Sequence, residues 1–500
     1  MRKTIILMLA FAAGAGPQLR AQGDYSDFVK DLKKEYNSFL DSAKNDYKSF
    51  RDKANNDYAA FLSEKEWVSA VLKKPVPRPV LRDNTVPPTV RPYVPAPDTI
   101  VSRPLPVRED VKPVAPPVKI EPVSPIVPVI PADNLRNKTF TLFGTRFNVP
   151  VPDVNISDMR PDEKSVGETW RRLSRVRGLD TSIASLLKQR DERNLCDWIF
   201  YKMAVELAES LCPGDFNASQ LLAAYILNQS GYAARLALDT LGGKVYTLVG
   251  CDNIIYYQPY YTVGNVKYYP FADLQSARIV SADFPGTRPM SLMIPREPQL
   301  EFVASKPLKL AAVHYPDVSA TYTINKNLLG FYDTYPSSGL QDSPSSKWTF
   351  YGSAPMSESV RNSLYPVLSK AIEGKSQRDA ANILMDFCES IPYAYDNEVW
   401  GHDRAFFPDE SLYYLKADCE DHALLFVRLV RDLMGLDVAV LDYPRHLAAA
   451  VHFTEDVPGD YIISDGRKWV VCDPTIFYAG VGTTMRGMDN TKCRLVRLAR

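Results

Sequence analysis

Between residues 75 and 132 the chain carries 17 of its 39 prolines. No other feature constrains the fold as much. Segments such as VPPTVRPYVPAPD and PVSPIVPVIPA cannot form a helix, and proline's missing N–H excludes them from the centre of a sheet. Residues 73–135 therefore read as a semi-rigid polyproline linker. At about 3.1 Å per residue it would reach on the order of 150 Å. It would hold a globular C-terminal part away from an N-terminal segment. Recognition by a proline-binding partner is the other use such a stretch can serve.

The N-terminal side has two parts. Residues 1–21 read as an export signal: Arg2 and Lys3, an apolar run from Ile5 to Ala15 too short to span a bilayer, and Leu19-Arg20-Ala21 before a cut near Gln22. The expected location is exported: periplasmic, envelope-associated or secreted. Residues 24–72 then carry a repeat of eleven, with tyrosines at 25, 36, 47 and 58 and phenylalanines three residues after each. Eleven residues make three helical turns, so the apolar stripe stays nearly straight along a long helix. It suits a weakly right-handed coiled coil and a homo-oligomer, docking to a partner or the cell envelope, or packing on its own protein.

Beyond the linker the chain becomes globular, and the fold class expected is α+β. TFTLFGTRFNVPV alternates like a hairpin. Residues 136–275 read as a helical and strand domain, 276–355 as β-rich, and 356–500 as a separate domain of helices followed by strands. Lys plus Arg and Asp plus Glu both number 59, so no net charge invites nucleic acid. The seven cysteines are an odd number, leaving at least one thiol if the others pair.

One cysteine has an unusual setting. In LKADCEDHALLFVRLVRDLMGLDVAV, Cys419 lies among acids where a broad apolar helical face begins. The first turn of a helix favours a negative group, by roughly 0.3–1 kcal/mol. That is too little to ionise a thiol, and Asp418, Glu420 and Asp421 oppose it. A cationic histidine alongside is sufficient. Four of the five histidines, at 402, 422, 446 and 452, fall near Cys419. His446 opens the strand-like HLAAAVHF, where Ala448 and Ala450 would share its face and leave room for a partner. Asp473 ends the next strand, WVVCDPT, and can orient that imidazole. Cys419, His446 and Asp473 thus supply nucleophile, base and orienter. Cys419-x-x-His422 has ligand-like spacing for zinc, with His446, His452 and Cys472 downstream. The paired CxxC knuckles are missing, and no calcium loop is present. No metal or cofactor is expected.

The set DCEDHALLFVRLVRDLMGL, YPRHLAAAV and WVVCDPT resembles the transglutaminase-like superfamily, closest to its exported bacterial members, over roughly residues 360–480. The resemblance implies a papain-like core, with Cys419 attacking an amide carbonyl, His446 moving protons and Asp473 orienting it. It implies an oxyanion hole made by the Cys419 N–H and an upstream donor. Trp400 is a weak candidate for that donor and an equally good packing aromatic. Many members carry tryptophan two residues after the histidine, where this chain has Ala448. The expected function is cleavage or transfer of amide bonds of peptides or proteins through a thioester, with hydrolysis favoured over cross-linking. The alternative is a non-catalytic envelope scaffold or binding protein. Residues 215–271 repeat the helix–glycine–strand order without the cysteine, histidine or aspartate. They read either as a degenerate copy or as a common α/β pattern.

Overall fold

The eleven-residue repeat forms a continuous helix, α1 (Gln22–Ser63), in the computed structural model, which describes residues 22–64, 67–77, 101–122, 134–241, 243–340 and 344–499. The expected export signal lies outside the described residues. The chain divides into two units, residues 1–53 and 54–500. In the first, the stripe from Tyr25 to Tyr47 lies outside the described side chains, and Phe50 is half-exposed. No helix among the described residues is long and apolar enough to cross a membrane.

The second unit includes the fourth repeat, which is buried against its own protein. Tyr58 lies edge-on to Trp170 and Phe284, with centroids 4.9 and 5.3 Å away. Asn55 accepts from Trp170 Nε1 at 3.0 Å and bonds Gln229. The helix stops at Ser63, short of the expected residue 72. The alternating WVSAV that follows is strand β1 (Trp67–Val71), and Trp67 Nε1 donates back to Leu62 O at 2.9 Å.

The proline-rich segment is not a free spacer where it is described. Strands β2 (Arg103–Pro104) and β3 (Glu109–Val111) pair in parallel with the two outer strands of the C-terminal sheet. Arg103 holds Asp460 through two bonds of 2.9 and 2.6 Å, and Arg494 donates to Glu109 at 3.0 Å. At a sheet edge, proline's missing N–H faces no ladder partner and costs little. Further on, Ile120 is buried and its carbonyl accepts from Arg190 at 2.8 Å.

The hairpin β4 (Arg136–Leu142) and β5 (Thr145–Val151) turns at Phe143-Gly144, both at positive φ, the geometry of a two-residue hairpin loop. Four helices follow: α2 (Glu163–Leu173), α3 (Leu179–Glu192), α4 (Asp197–Leu211) and α5 (Phe216–Gln229). Then come β6 (Ala234–Asp239), β7 (Val245–Cys251), β8 (Asn253–Ile255), β9 (Tyr261–Val263), β10 (Val266–Tyr269) and β11 (Ser276–Val280). The stretch expected to be β-rich departs from that reading. Prolines at 285, 289, 295, 298 and 307 interrupt any ladder. Among its described residues, β11 is followed by the short strands β12 (Leu308–Ala311), β13 (Ser319–Tyr322) and β14 (Ser338–Leu340), with helices α6 (Lys326–Asp333) and α7 (Lys347–Ser353) among them.

The C-terminal part runs α8 (Glu358–Ile372), α9 (Gln377–Glu389), α10 (Asp396–Val399), α11 (Pro408–Tyr414) and α12 (Cys419–Met434). It continues with β15 (Asp437–Tyr443), β16 (His446–His452), β17 (Asp460–Ser464), β18 (Arg467–Cys472) and β19 (Arg494–Arg497). One face of this sheet, with Val440, Leu447, Ala449 and Val470, shares a core with α12. The other, with Leu441, Ala448, Ala450 and Trp469, is covered by Leu105 and Val107 of the proline-rich segment.

The two large sheets have the same connectivity. The first is ordered β1-β11-β6-β7-β10-β9, the second β3-β19-β15-β16-β18-β17-β2. Five strands in chain order, β6, β7, β9, β10 and β11, thus occupy the places of β15, β16, β17, β18 and β19. In both, a helix precedes the first strand, and an aspartate caps its N-terminus, Asp215 or Asp418.

Candidate active site

Local chemistry fixes where α12 begins. Asp418 is the N-cap and accepts from the Glu420 N–H at 3.1 Å, while Asp421 reaches back to the Asp418 N–H at 3.3 Å. This reciprocal pair satisfies first-turn donors and makes Cys419 the first helical residue. At the other end, Gly435 closes the helix at φ 65°, a left-handed conformation that favours glycine.

Strand pairing brings the other two residues in. The β15–β16 hairpin turns tightly, with Tyr443 opposite His446, and Ala449 of β16 pairs with Cys472 of β18. His446 therefore opens its strand beside the end of β18, where Asp473 follows. Its Nε2 bonds Asp473 Oδ2 at 2.7 Å, and the ring is also hydrogen-bonded to the Cys419 side chain. With Nε2 committed to Asp473, Nδ1 is the nitrogen left for sulfur. Tyr443 stacks on the imidazole at 6.3 Å. All three residues are buried, with Cys419 3 %, His446 4 % and Asp473 1 % exposed.

Burial alone would discharge His446. The negative charges of Asp473 and Cys419, with hydrogen bonds to both, outweigh it and lift the imidazole to about 10. Cys419 also has acidic neighbours. Cys419 Sγ lies 3.6 Å from Glu420 Oε2, and Glu420 is fully buried. Asp421, buried with Asp418 and Asp396 nearby, is held well above the usual carboxylate range by desolvation and by both neighbours.

Asp473 is itself fixed. Its Oδ1 accepts from Thr475 Oγ1 at 2.6 Å and from the Thr475 N–H at 3.1 Å, leaving Oδ2 for the histidine. Thr475 is an orienting residue that the sequence reading passed over. Its signal was present in DPT, since Asp-x-Thr is a local turn pattern.

The remaining histidines do not join the triad. His422 Nδ1 lies 2.5 Å from Asp418 O and Nε2 3.0 Å from Ile391 O, so both its nitrogens face backbone carbonyls. It does not form a ligand pair with Cys419. His452 bonds Lys468 O at 3.0 Å, and His402 bonds Trp400 O at 3.0 Å. Trp400 packs edge-on against Phe406 and Tyr414, with Arg404 over its ring. The Trp400 backbone N–H donates to Asp396 O at 2.6 Å. All seven cysteines are free and buried. Burial raises Cys212 to about 11, raises Cys196 and Cys493 to about 12, and raises Cys251, Cys388 and Cys472 further.

In the first sheet unit the matching places hold other residues. Helix α5 begins with Phe216, strand β7 with Val245, and β10 is followed by Pro270. None can serve as nucleophile, base or orienter. Comparison of the chain with models of known protein families finds no match, and a search of curated proteins finds none either.

Proposed function

We propose that this chain is a thiol enzyme that cleaves or transfers amide bonds of peptides or proteins, with a papain-like, transglutaminase-like core at its C-terminus. One observation carries the reading: His446, raised to about 10, bonds Asp473 on one side and Cys419 on the other. A buried imidazole in that position serves as proton acceptor for the thiol and then as donor to the leaving amine. The first half-reaction forms a thioester at Cys419 and releases an amine. Water as acceptor completes hydrolysis, the favoured outcome, and a lysine amine completes cross-linking. The protein acts after export, in the periplasm, at the envelope or outside the cell, and the repeat helix serves attachment or self-association.

The shared strand order of the two sheets supports a second element of the reading. The first sheet unit, residues 215–280, is a non-catalytic copy that braces the active one or binds substrate. A scaffold without catalysis is the competing reading, favoured by the 3 % exposure of Cys419. The experiment that separates them is acyl trapping. The intact protein is incubated with p-nitrophenyl acetate, quenched in acid and mapped by mass spectrometry. An acetyl group on Cys419, discharged by hydroxylamine and missing in Cys419→Ala, supports the enzyme. No acylation at Cys419 leaves the scaffold.

A further inference from the structure

The segment before α10 is tied to the residues just ahead of the nucleophile. Tyr393 forms a parallel bridge with Ala417. Ala394 N–H donates to Ala417 O at 2.9 Å, and Ala417 N–H to Pro392 O at 3.2 Å. Two residues beyond this bridge on the two chains lie Tyr395 and Cys419. The Tyr395 ring is part-exposed, yet its hydroxyl oxygen is buried and has no hydrogen-bond partner among the described residues. A buried hydroxyl without a partner is held at a cost. Burial, then Glu398 and the Cys419 charge, push the phenol up and keep it a donor at neutral pH.

We propose that Tyr395, not Trp400, is the side-chain donor of the oxyanion hole at Cys419. The assignment rests on the thiol-enzyme reading and adds a residue to it. When sulfur attacks the acyl carbon, the C–S bond forms and the C=O pair moves onto oxygen. The Tyr395 O–H then donates to that oxygen beside the Cys419 N–H of the first helical turn, without giving up its proton. Collapse restores the carbonyl and breaks the bond to the leaving group, which takes its proton from His446. Before substrate arrives the hydroxyl has no partner, so its bond is gained where charge develops.

Two probes separate this role from a structural one. Iodoacetamide alkylates the thiolate by displacement and forms no oxyanion, whereas p-nitrophenyl acetate forms one. For Tyr395→Phe, the rate of Cys419 acylation is expected to fall on the order of a hundredfold, with the alkylation rate within about twofold of wild type. Trp400→Phe is expected to keep the wild-type ratio of the two rates. Unchanged acylation in Tyr395→Phe overturns the assignment. So does an equal loss of both rates, which marks a structural residue, and so does a selective acylation loss in Trp400→Phe alone. If wild-type Cys419 alkylates normally but is never acylated, the thiol-enzyme reading fails and takes the assignment with it.

Discussion

Replacing Asp473 by asparagine keeps the shape of the site and removes one full charge. His446 is lifted from 6.5 to about 10 against the opposing effect of its own burial. The charge of Asp473 stands ahead of that of Cys419 among the groups that raise it, and Asp473 adds a 2.7 Å hydrogen bond. A buried opposite charge at this range moves a pKa by about 1–3 units. The His446 midpoint should therefore drop by about two pH units, equivalent to about 3 kcal/mol. At pH 7.5 the neutral fraction of His446 would rise from below roughly 1 % to about 24 %. The assay is ¹⁵N NMR of histidine-labelled protein, tractable with five histidines. Wild-type His446 should stay an imidazolium through pH 9, and Asp473→Asn should titrate between about 7 and 8.5. A wild-type His446 that titrates near 6.5, or an unmoved midpoint in the variant, would refute the charge-triad reasoning.

Three further outcomes follow from other parts of the site. In native protein at pH 7.5, iodoacetamide should modify Cys419 and leave the other six cysteines, whose thiols burial raises; in urea all seven should react. Glu389 is raised to about 8 by burial, with Asp386 and Asp473 adding to it. The folded state therefore holds its proton between 4.5 and about 8, and the stability this contributes is lost as pH rises through that window. Glu389→Gln should flatten the fall in urea midpoint from pH 5 to pH 9, and an unchanged fall would count against it. At the return of the loop after Asp473, a Cβ on Gly459 would sit 2.3 Å from Gly482 Cα, at a φ of 132°. Gly459→Ala should lower stability by more than about 2 kcal/mol, read as a shifted denaturation midpoint.

Much of the candidate site was legible because its signals are local. Asp418 before an apolar face marks a helix start, Gly435 marks its end, and Pro474 marks the end of a ladder. These fix Cys419, His446 and Asp473 on their elements without knowledge of the rest. The role of residues 101–122 was not legible. Proline content reports what the segment cannot do internally, but its pairing with Asp460 and Arg494 joins residues more than 350 positions apart. The same holds for Tyr395. Its sequence neighbours gave no sign of the bridge from Tyr393 to Ala417. The likeness between the two sheets was visible as helix–glycine–strand, yet that pattern is common. The order of five strands, shared by the two sheets, is not visible in that pattern.

The central claim is an activated thiol, and the most direct measurement is the pH dependence of its alkylation. Intact protein is treated with iodoacetamide from pH 4 to 9, and the modified sites are quantified by mass spectrometry for wild type and His446→Ala. The account requires Cys419 to react fastest of the seven, and His446→Ala to slow it. A Cys419 that stays unreactive, or that behaves as an ordinary thiol in both proteins, contradicts it.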